Sequence, residues 1–158
     1  MLNAALHMQE CVDLRWQDVQ GGYLIAHRAK KGRFLRIAVL WKETLEALEQ
    51  LQKTGGHIFG SMTGLPLSIS GASKRFRKIR KEAGVKHVES DQIRDGVATA
   101  VVAANVNNQI FCLLMGHRNP GVKDNYAKRN PEMVRPACDA VYAHYFGAAK
   151  ASDNAQHG

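Results

Sequence analysis

The sequence has few cysteines and no long apolar run. Cys11, Cys112 and Cys138 are scattered and form no C-x-x-C pair, so neither a disulfide framework nor a cysteine zinc site is expected. No segment approaches the roughly 18 apolar residues that span a membrane, and the first ten residues lack a signal-peptide pattern. These absences predict a cytoplasmic protein with no membrane partner, whose cysteines are small buried residues.

Several catalytic motifs are also missing. The sequence has no Walker A and no G-x-G-x-x-G passage, which argues against the two common phosphate-binding loops of nucleotide enzymes. Zinc-ligand spacing is absent among His27, His57, His87 and His144. We therefore expect no metal site and no cofactor.

Positive charge, in contrast, is in clear excess. The chain carries 22 Lys and Arg against 14 Asp and Glu, a formal net charge of +8. A basic surface attracts polyanions over long range. The alternative is a soluble basic protein without such a partner, but clustering of the cations favours a surface that neutralises a nucleic-acid backbone. The two clusters are Arg28, Lys30, Lys31, Arg33 and Arg36, and Lys74, Arg75, Arg77, Lys78, Arg80, Lys81 and Lys86.

Apolar periodicity predicts a mainly helical domain with one small antiparallel sheet. Strands at Tyr23–His27 and Phe34–Leu40 flank a basic turn, which is typical of a β-hairpin. The predicted helices are Leu2–Leu14, Lys42–Lys53, Ser70–Ala83, Gln92–Ala104, Asn108–Met115, Val122–Arg129 and Pro131–Phe146. The fold class is therefore α+β, with one domain over 1–147 and a disordered tail over 148–158.

One of these helices is strongly basic on one side. In Ser70–Ala83, Phe76, Ile79 and Ala83 share a helical face and are expected to point inward, with the cations on the outer face. Gly84 follows as a C-terminal stop.

A tyrosine and a histidine stand at a suggestive spacing near the C-terminus. The passage L-L-M-G-H-R at 113–118 is followed by Tyr126, nine residues after His117. A phenol has a pKa of about 10 and becomes a useful nucleophile only where cations or bases stabilise the phenolate and the attacked group. A nearby imidazole can hydrogen-bond a phosphate oxygen. Taken alone, these residues are more often a helix end and a surface tyrosine.

Two further passages hold charged residues of opposite sign. In D-Q-I-R-D-G-V-A-T at 91–99, Arg94 precedes His117 by 23 residues, and a guanidinium matches two phosphate oxygens with its planar fork. The segment A-L-H-M-Q-E-C-V-D-L-R-W-Q-D-V at 5–19 contains Glu10. Its L-R-W part also fits a structural helix exit with a buried tryptophan.

The basic hairpin supplies a fourth passage, K-G-R-F-L-R at 31–36. A lysine there is suited to general-acid duty if neighbouring cations depress its pKa. We assign Lys31, with Lys30 as the alternative. Without the other passages, a solvated basic turn is the simpler interpretation.

In order and spacing, the four passages resemble the catalytic domain of the tyrosine recombinases, the phage integrase family, over roughly residues 5–146. The corresponding family patterns are L-L-G-H…Y, H-D-L-R-R-T-F-A-T, T-G-L-R-x-S-E-x-x-x-L-R-W-x-D-I and K-G-x-x-x-R. The resemblance implies the fold of that domain, double-stranded DNA as partner, and strand breakage and rejoining through a 3′-phosphotyrosine. It implies no metal and no cofactor, because the covalent bond to tyrosine stores the energy of the phosphodiester, and it implies that catalysis is mainly electrostatic clamping of a phosphate.

The resemblance also implies a role for each matching residue. Tyr126 falls on the nucleophile, Arg94 and His117 on phosphate clamps, Lys31 on the general acid and Glu10 on an acid that organises the site.

Two positions depart from the family pattern. His7 stands where an arginine clamp is usual, and Asp91 stands where a histidine is usual. A histidine lacks the guanidinium fork, and a carboxylate adds negative charge beside a phosphate. Loss of one such donor typically costs on the order of 10²–10³ in rate, so we expect impaired cleavage.

DNA contacts are expected from the basic hairpin, the basic helix and the residue after His117. The candidates are Arg28, Lys30, Arg33, Arg36, Lys74, Arg75, Arg77, Lys78 and Arg118. The family also has a separate N-terminal DNA-clamping domain, which these residues do not match. We expect weaker DNA affinity without it, because fewer phosphates are neutralised.

Three functions stay open on the sequence. The chain is a working recombinase of a mobile element, a DNA-binding relic or accessory protein without cleavage, or a helical interaction module with no DNA role. The first two predict nucleoid association. The last helix, Pro131–Phe146, is either core or a docking element for a homo-oligomer on DNA.

Overall fold

A computed structural model describes residues 1–27, 34–53, 55–60, 64–85, 87–118, 127–128 and 130–147. The predicted tail 148–158 and most of the predicted helix Val122–Arg129 lie outside these residues. Within the described part of the chain, no helix combines the length and apolarity needed to cross a membrane.

A three-stranded antiparallel sheet forms one side of the structure. Its strands are β1 (Val19–Gln20), β2 (Tyr23–His27) and β3 (Leu35–Val39), in the order β1-β2-β3. Gly21 and Gly22 join the first two strands with φ values of 54° and 83°, the left-handed conformation that a two-residue hairpin turn requires. The predicted hairpin of β2 and β3 is confirmed, with Ile25 opposite Ile37.

β3 lies in the middle of the core and is buried along its whole length. Leu35, Ile37 and Val39 share one face of the strand, so Arg36 and Ala38 point to the other. β3 packs against helices near both ends of the chain. The side chain of Arg36 is therefore forced into the protein interior.

The described residues also form six named α-helices that pack with the sheet. They are α1 (Met8–Asp13), α2 (Lys42–Glu49), α3 (Ile69–Glu82), α4 (Ser90–Ala103), α5 (Asn108–Met115) and α6 (Arg135–Phe146), with single 3₁₀ turns at Leu2–Ala4, Trp16–Asp18 and Pro131–Val134. This mainly helical architecture with one small antiparallel sheet is the predicted fold class.

The predicted continuous helix Leu2–Leu14 is wrong. A 3₁₀ turn ends at Ala4, Ala5 adopts a left-handed φ of 49°, and α1 begins only at Met8. A left-handed residue reverses the local chain direction and cannot continue a right-handed helix. The apolar periodicity of the segment did not reveal this break, which turns the carbonyl of Ala5 towards α4.

The inward face predicted for the basic helix is also wrong in its second half. Ala72 is buried and Phe76 half-buried, but Ile79 is 63% exposed and Ala83 is exposed. α3 packs mainly against the short helix α1. Its C-terminal half extends beyond that contact, which leaves the apolar face of the helix without a cover from the described residues.

The last helix belongs to the core of its own chain. The predicted segment Pro131–Phe146 begins with a 3₁₀ turn, and α6 packs on α4, α5 and β3. The ring of Tyr142 contacts that of Trp41 edge-on, with 5.2 Å between the ring centroids. Its hydroxyl donates to Glu43 Oε1 at 2.6 Å. Of the cysteines, Cys138 and Cys11 are buried as predicted, whereas Cys112 is only half-buried.

Candidate functional site

Arg94 is the centre of a buried polar cluster between α4, α5 and the N-terminal segment. Its side chain is only 5% exposed. Nη1 donates to the carbonyl of Ala5, and Nη2 donates to the carbonyl of Met115 at 2.6 Å. These carbonyls are available because Ala5 is left-handed and because Met115 is the last residue of α5.

A second arginine shares the same carbonyl. Arg36 reaches across from β3, and its Nη2 donates to Met115 O at 2.7 Å. Carbonyls at a helix C-terminus carry partial negative charge. The end of α5 therefore stabilises two buried guanidinium groups at once.

Glu10 of α1 is the carboxylate of the cluster. Arg36 Nη1 donates to Glu10 Oε2 at 2.7 Å, and Arg94 Nη1 lies 3.8 Å from the same oxygen. The backbone N–H of His7 also donates to Glu10 Oε2, at 2.8 Å. Glu10 thus connects β3, α4 and the start of α1.

The Gly116-His117 sequence after α5 is explained by the close approach of Arg36. Gly116 has a φ of 62°, and a Cβ placed on it would lie 3.0 Å from Nε and Nη2 of Arg36. Only glycine combines this conformation with that close approach. The turn then delivers His117, whose N–H donates to Cys112 O at 2.9 Å.

His117 meets Arg94 directly. His117 Nε2 lies 3.1 Å from Arg94 Nη2. Arginine only donates, so Nε2 is the acceptor and the ring proton is on Nδ1 in this arrangement. Phe111 of α5 packs edge-on against the imidazole at 5.9 Å between ring centroids and restricts the orientation of the ring.

Two guanidinium groups, Arg36 and Arg94, converge on one carboxylate, Glu10. Buried charges are normally paired, because desolvation of a charge is costly. The cluster therefore holds both guanidinium groups in fixed positions beside His117.

The two residues that depart from the family pattern also meet. His7 Nδ1 lies 3.2 Å from Asp91 Oδ1, although 84 residues separate them in the chain. The His7 side chain is 30% exposed and that of Asp91 75%. The pair lies at the outer edge of the arginine cluster, since Asp91 is one turn before Arg94 on α4.

Of the catalytic candidates, the structure brings together Arg94, His117, Glu10, His7 and Asp91. Lys31 and Tyr126 lie outside the described residues. The same holds for three DNA-binding candidates, Arg28, Lys30 and Arg33.

One DNA-binding candidate requires a correction. Arg36 was assigned to the exposed basic hairpin, but it is 2% exposed and bound to Glu10 and Met115 O. Arg36 lies on the side of β3 that faces the protein interior. It therefore supports the site from within and does not present its charge to a DNA backbone.

The other described DNA-binding candidates are on the surface. They take no part in filling the core, and two of them have partners on α3 itself, Lys78 with Glu82 and Arg77 with the carbonyl of Ser73. The exposed set is Lys74, Arg75, Arg77, Lys78 and, after α5, Arg118. Arg80 differs, because it is bound to Val88 O at 2.8 Å and to Glu89 Oε1 at 2.5 Å. It fixes the connection from α3 to α4.

Sequence reasoning missed three parts of the site. These are the carbonyl of Ala5, the carbonyl of Met115 and the ring of Phe111. Backbone acceptors leave no signal in side-chain chemistry. Phe111 lies six residues before His117 in an apolar helix, where an aromatic residue is usually core. Among the described residues, no group of His, Cys, Asp and Glu is arranged to hold a metal ion.

Comparisons with known proteins bear on the family and the fold of the chain. A model of the phage integrase family matches residues 1–133. The crystal structure of XerA recombinase resembles the chain with a TM-score of 0.59 at 16% identity, over 92% of this chain and 54% of that one. The chain thus spans about half the length of that protein, and the likeness concerns the fold. No curated protein sequence matches the chain.

Proposed function

The chain belongs to the phage integrase family, and from this premise we propose that it binds double-stranded DNA and breaks and rejoins one strand through a 3′-phosphotyrosine. The observation that carries the proposal is the convergence of Arg94 and His117 in one buried cluster. Two buried guanidinium groups and one carboxylate meet beside His117. Such a cluster suits the phosphoryl oxygens of a scissile phosphate, where negative charge gathers in the transition state.

In the proposed reaction, the Tyr126 oxygen attacks the phosphorus of a backbone phosphate. The bond from phosphorus to the 5′-oxygen breaks, so a 3′-phosphotyrosine and a free 5′-hydroxyl result. Lys31 gives a proton to the leaving oxygen, with Lys30 as the alternative donor, and the phenolic proton leaves Tyr126. A 5′-hydroxyl of a partner strand reverses these steps. The roles of Lys31 and Tyr126 rest on the motif match alone.

The described residues contribute the clamp. Arg94 offers its guanidinium to non-bridging oxygens, and His117, held by Phe111, offers its ring next to it. Glu10 and Arg36 hold this arrangement in place from beneath. Preorganised donors of this kind typically account for a factor of about 10²–10³ each.

A nicked suicide duplex tests the chemistry. The nick lies close to the cut site, so the short 5′-hydroxyl fragment diffuses away and the covalent intermediate accumulates. We expect a slower-migrating protein–DNA band in denaturing gels with the native chain and none with Tyr126→Phe. The variant Tyr23→Phe on β2 is the matched control and should keep the band. Absence of any adduct with the native chain would contradict cleavage.

A second function, DNA binding without cleavage, is favoured by the contact between His7 and Asp91. That contact replaces an arginine clamp with a pair of smaller net charge. In this case, the native chain and Tyr126→Phe bind duplex DNA equally well and neither forms an adduct.

DNA binding itself separates both proposals from an interaction module without a DNA role. Neutralised phosphates release counterions, so the affinity for duplex DNA should fall steeply as salt rises. Fluorescence anisotropy with a labelled duplex of about 30 base pairs measures this. An affinity that stays flat between low and moderate salt would favour the interaction module.

We further propose nucleoid association as a consequence of DNA binding, and assembly of copies on DNA through the end of α6. Tyr145 and Phe146 are 42% and 48% exposed there, whereas Ala137, Cys138 and Val141 are buried in the chain's own core. Sedimentation of the native chain and of Phe146→Ser, each with DNA, tests the assembly. Equal sedimentation of both would contradict this contact.

A further inference from the structure

We propose that His7 and Asp91 work as one unit, in which the Asp91 carboxylate positions the His7 imidazole as a hydrogen-bond donor to a DNA phosphate. This rests on the proposed DNA-binding function. Asp91 is then a positioning residue that improves DNA binding. Without His7, the Asp91 carboxylate would only repel the DNA backbone.

The contact itself is specific. His7 Nδ1 and Asp91 Oδ1 are 3.2 Å apart and belong to segments 84 residues apart in sequence. Each residue occupies one of the two positions at which the chain departs from the family pattern. The contact therefore joins the two positions of departure.

The chemistry of the pair assigns the ring nitrogens. An ionised carboxylate only accepts hydrogen bonds, so His7 Nδ1 carries a proton and donates it to Asp91. Nε2 is then the nitrogen left for another partner. In a ring that carries a proton on both nitrogens, Nδ1–H is held by Asp91 and Nε2–H is available to an anionic oxygen.

The position of the pair fits this role. Asp91 lies three residues before Arg94 on α4, and residues at this spacing share a helical face. His7 follows Ala5, whose carbonyl accepts from Arg94 Nη1. The N–H of His7 is bound to Glu10 at 2.8 Å. Both partners are thus attached to the residues that hold the phosphate clamp.

Asp91 also has a simpler possible role. It lies in the first turn of α4, where a negative charge stabilises the positive end of the helix. That role concerns stability alone. It predicts the same change in DNA affinity on removal of Asp91 whether or not His7 is present.

A double-mutant cycle on duplex DNA distinguishes these roles. The proteins are the native full chain, His7→Ala, Asp91→Asn and the double variant, measured by anisotropy with a labelled duplex of about 30 base pairs at low salt. Asp95→Asn, alone and with His7→Ala, is the matched control, since Asp95 is an exposed carboxylate one turn further along α4. Far-UV circular dichroism and thermal melts verify that each variant folds.

We expect Asp91→Asn to change the DNA affinity in opposite directions in the two backgrounds. Asp91→Asn should weaken DNA binding by about two- to fivefold in the native background, because the imidazole loses its orienting charge. In the His7→Ala background, the same substitution should strengthen binding by about twofold, because only a repulsive carboxylate is removed. His7→Ala alone should weaken binding by roughly two- to tenfold. Asp95→Asn should change the affinity by the same factor in both backgrounds.

Other results overturn the inference. If Asp91→Asn strengthens binding equally in both backgrounds, the carboxylate only repels DNA. If it has no effect in either, the pair does not act at the phosphate. In both cases salt-dependent DNA binding by the native chain would still support the proposed function. A native chain that does not bind duplex DNA overturns both proposals together.

Discussion

The buried contact of Arg36 with Glu10 shows that the role of a side chain depends on its surroundings in the fold. In the sequence, Arg36 is one of five cations around a turn. In the structure, it is the 2%-exposed partner of Glu10 and is held against Met115 O. Removal of one partner of a buried ion pair typically costs about 3–5 kcal/mol. Arg36 therefore contributes to the site by fixing Glu10.

Gly116 provides a sharp test of this packing. We expect Gly116→Ala to lower the free energy of unfolding by about 2–3 kcal/mol. Roughly 1 kcal/mol comes from a left-handed φ in a residue with a Cβ, and the rest from a methyl group 3.0 Å from Arg36. Urea denaturation followed by circular dichroism measures the loss.

Gly84→Ala is the matched control for this substitution. Gly84 follows α3 with a φ of 71°, and a Cβ there meets no atom within 4 Å. Its loss should be near 1 kcal/mol, the conformational part alone. Equal losses for the two variants would show that the approach of Arg36 to Gly116 carries no energy.

The elements differ in how far the sequence could predict them. α5 has the predicted bounds, Asn108–Met115, and in the structure Asn107 caps its start and Gly116 ends it. The N-terminal helix was predicted too long, since Ala5 adopts a conformation that alanine rarely takes. The apolar periodicity of α3 predicted that Ile79 points inward. Periodicity carries no information on the neighbouring helix α1, which is only six residues long.

α3 is the helix on which DNA contact is most directly testable. Its exposed Lys74 and Lys78 are one turn apart on the same face. We expect Lys74→Gln with Lys78→Gln to weaken duplex binding at low salt. The slope of log affinity against log salt should become shallower by about 2, since each lost phosphate contact removes about 0.9. A salt titration by fluorescence anisotropy measures both quantities.

Lys42→Gln serves as the control for α3. Lys42 is an exposed lysine at the start of α2 and is not among the residues proposed to contact DNA. It should leave the slope unchanged. If Lys42→Gln makes the slope shallower by about half as much as the α3 double variant does, net charge and not the face of α3 governs binding.

The candidate site could be assembled from the sequence only in part, because its parts come from distant segments. Motif spacing predicted that Arg94, His117 and Glu10 lie together, and the structure places them in one cluster. It could not predict that His7 and Asp91 bond to each other, since each was judged against the family pattern singly. Nor could it predict the two backbone carbonyls that hold Arg94, because they depend on how remote segments end.

At the scale of the whole molecule, opening of the core can be measured through the cysteines, which differ in burial. Cys138 on α6 is 1% exposed, and the Val39 N–H of β3 donates to its Sγ at 3.3 Å. Burial raises the pKa of the Cys138 thiol to about 12, so at pH 8 only about one in 10⁴ of these thiols is ionised in the folded chain. Burial also raises the pKa of Cys11. Thiolates react with disulfide reagents and thiols do not.

We therefore expect two phases when the native chain is labelled with an aromatic disulfide at pH 8. The half-buried Cys112 should react first, although burial raises its pKa as well. Cys11 and Cys138 should react only as the core opens, and Cys112→Ser should remove the fast phase alone. If the folded chain binds duplex DNA, DNA at about 100 times its dissociation constant should slow the late phase by roughly 100-fold through mass action. Labelling of Cys138 as fast as that of Cys112 would contradict a single core that joins β3 to α6.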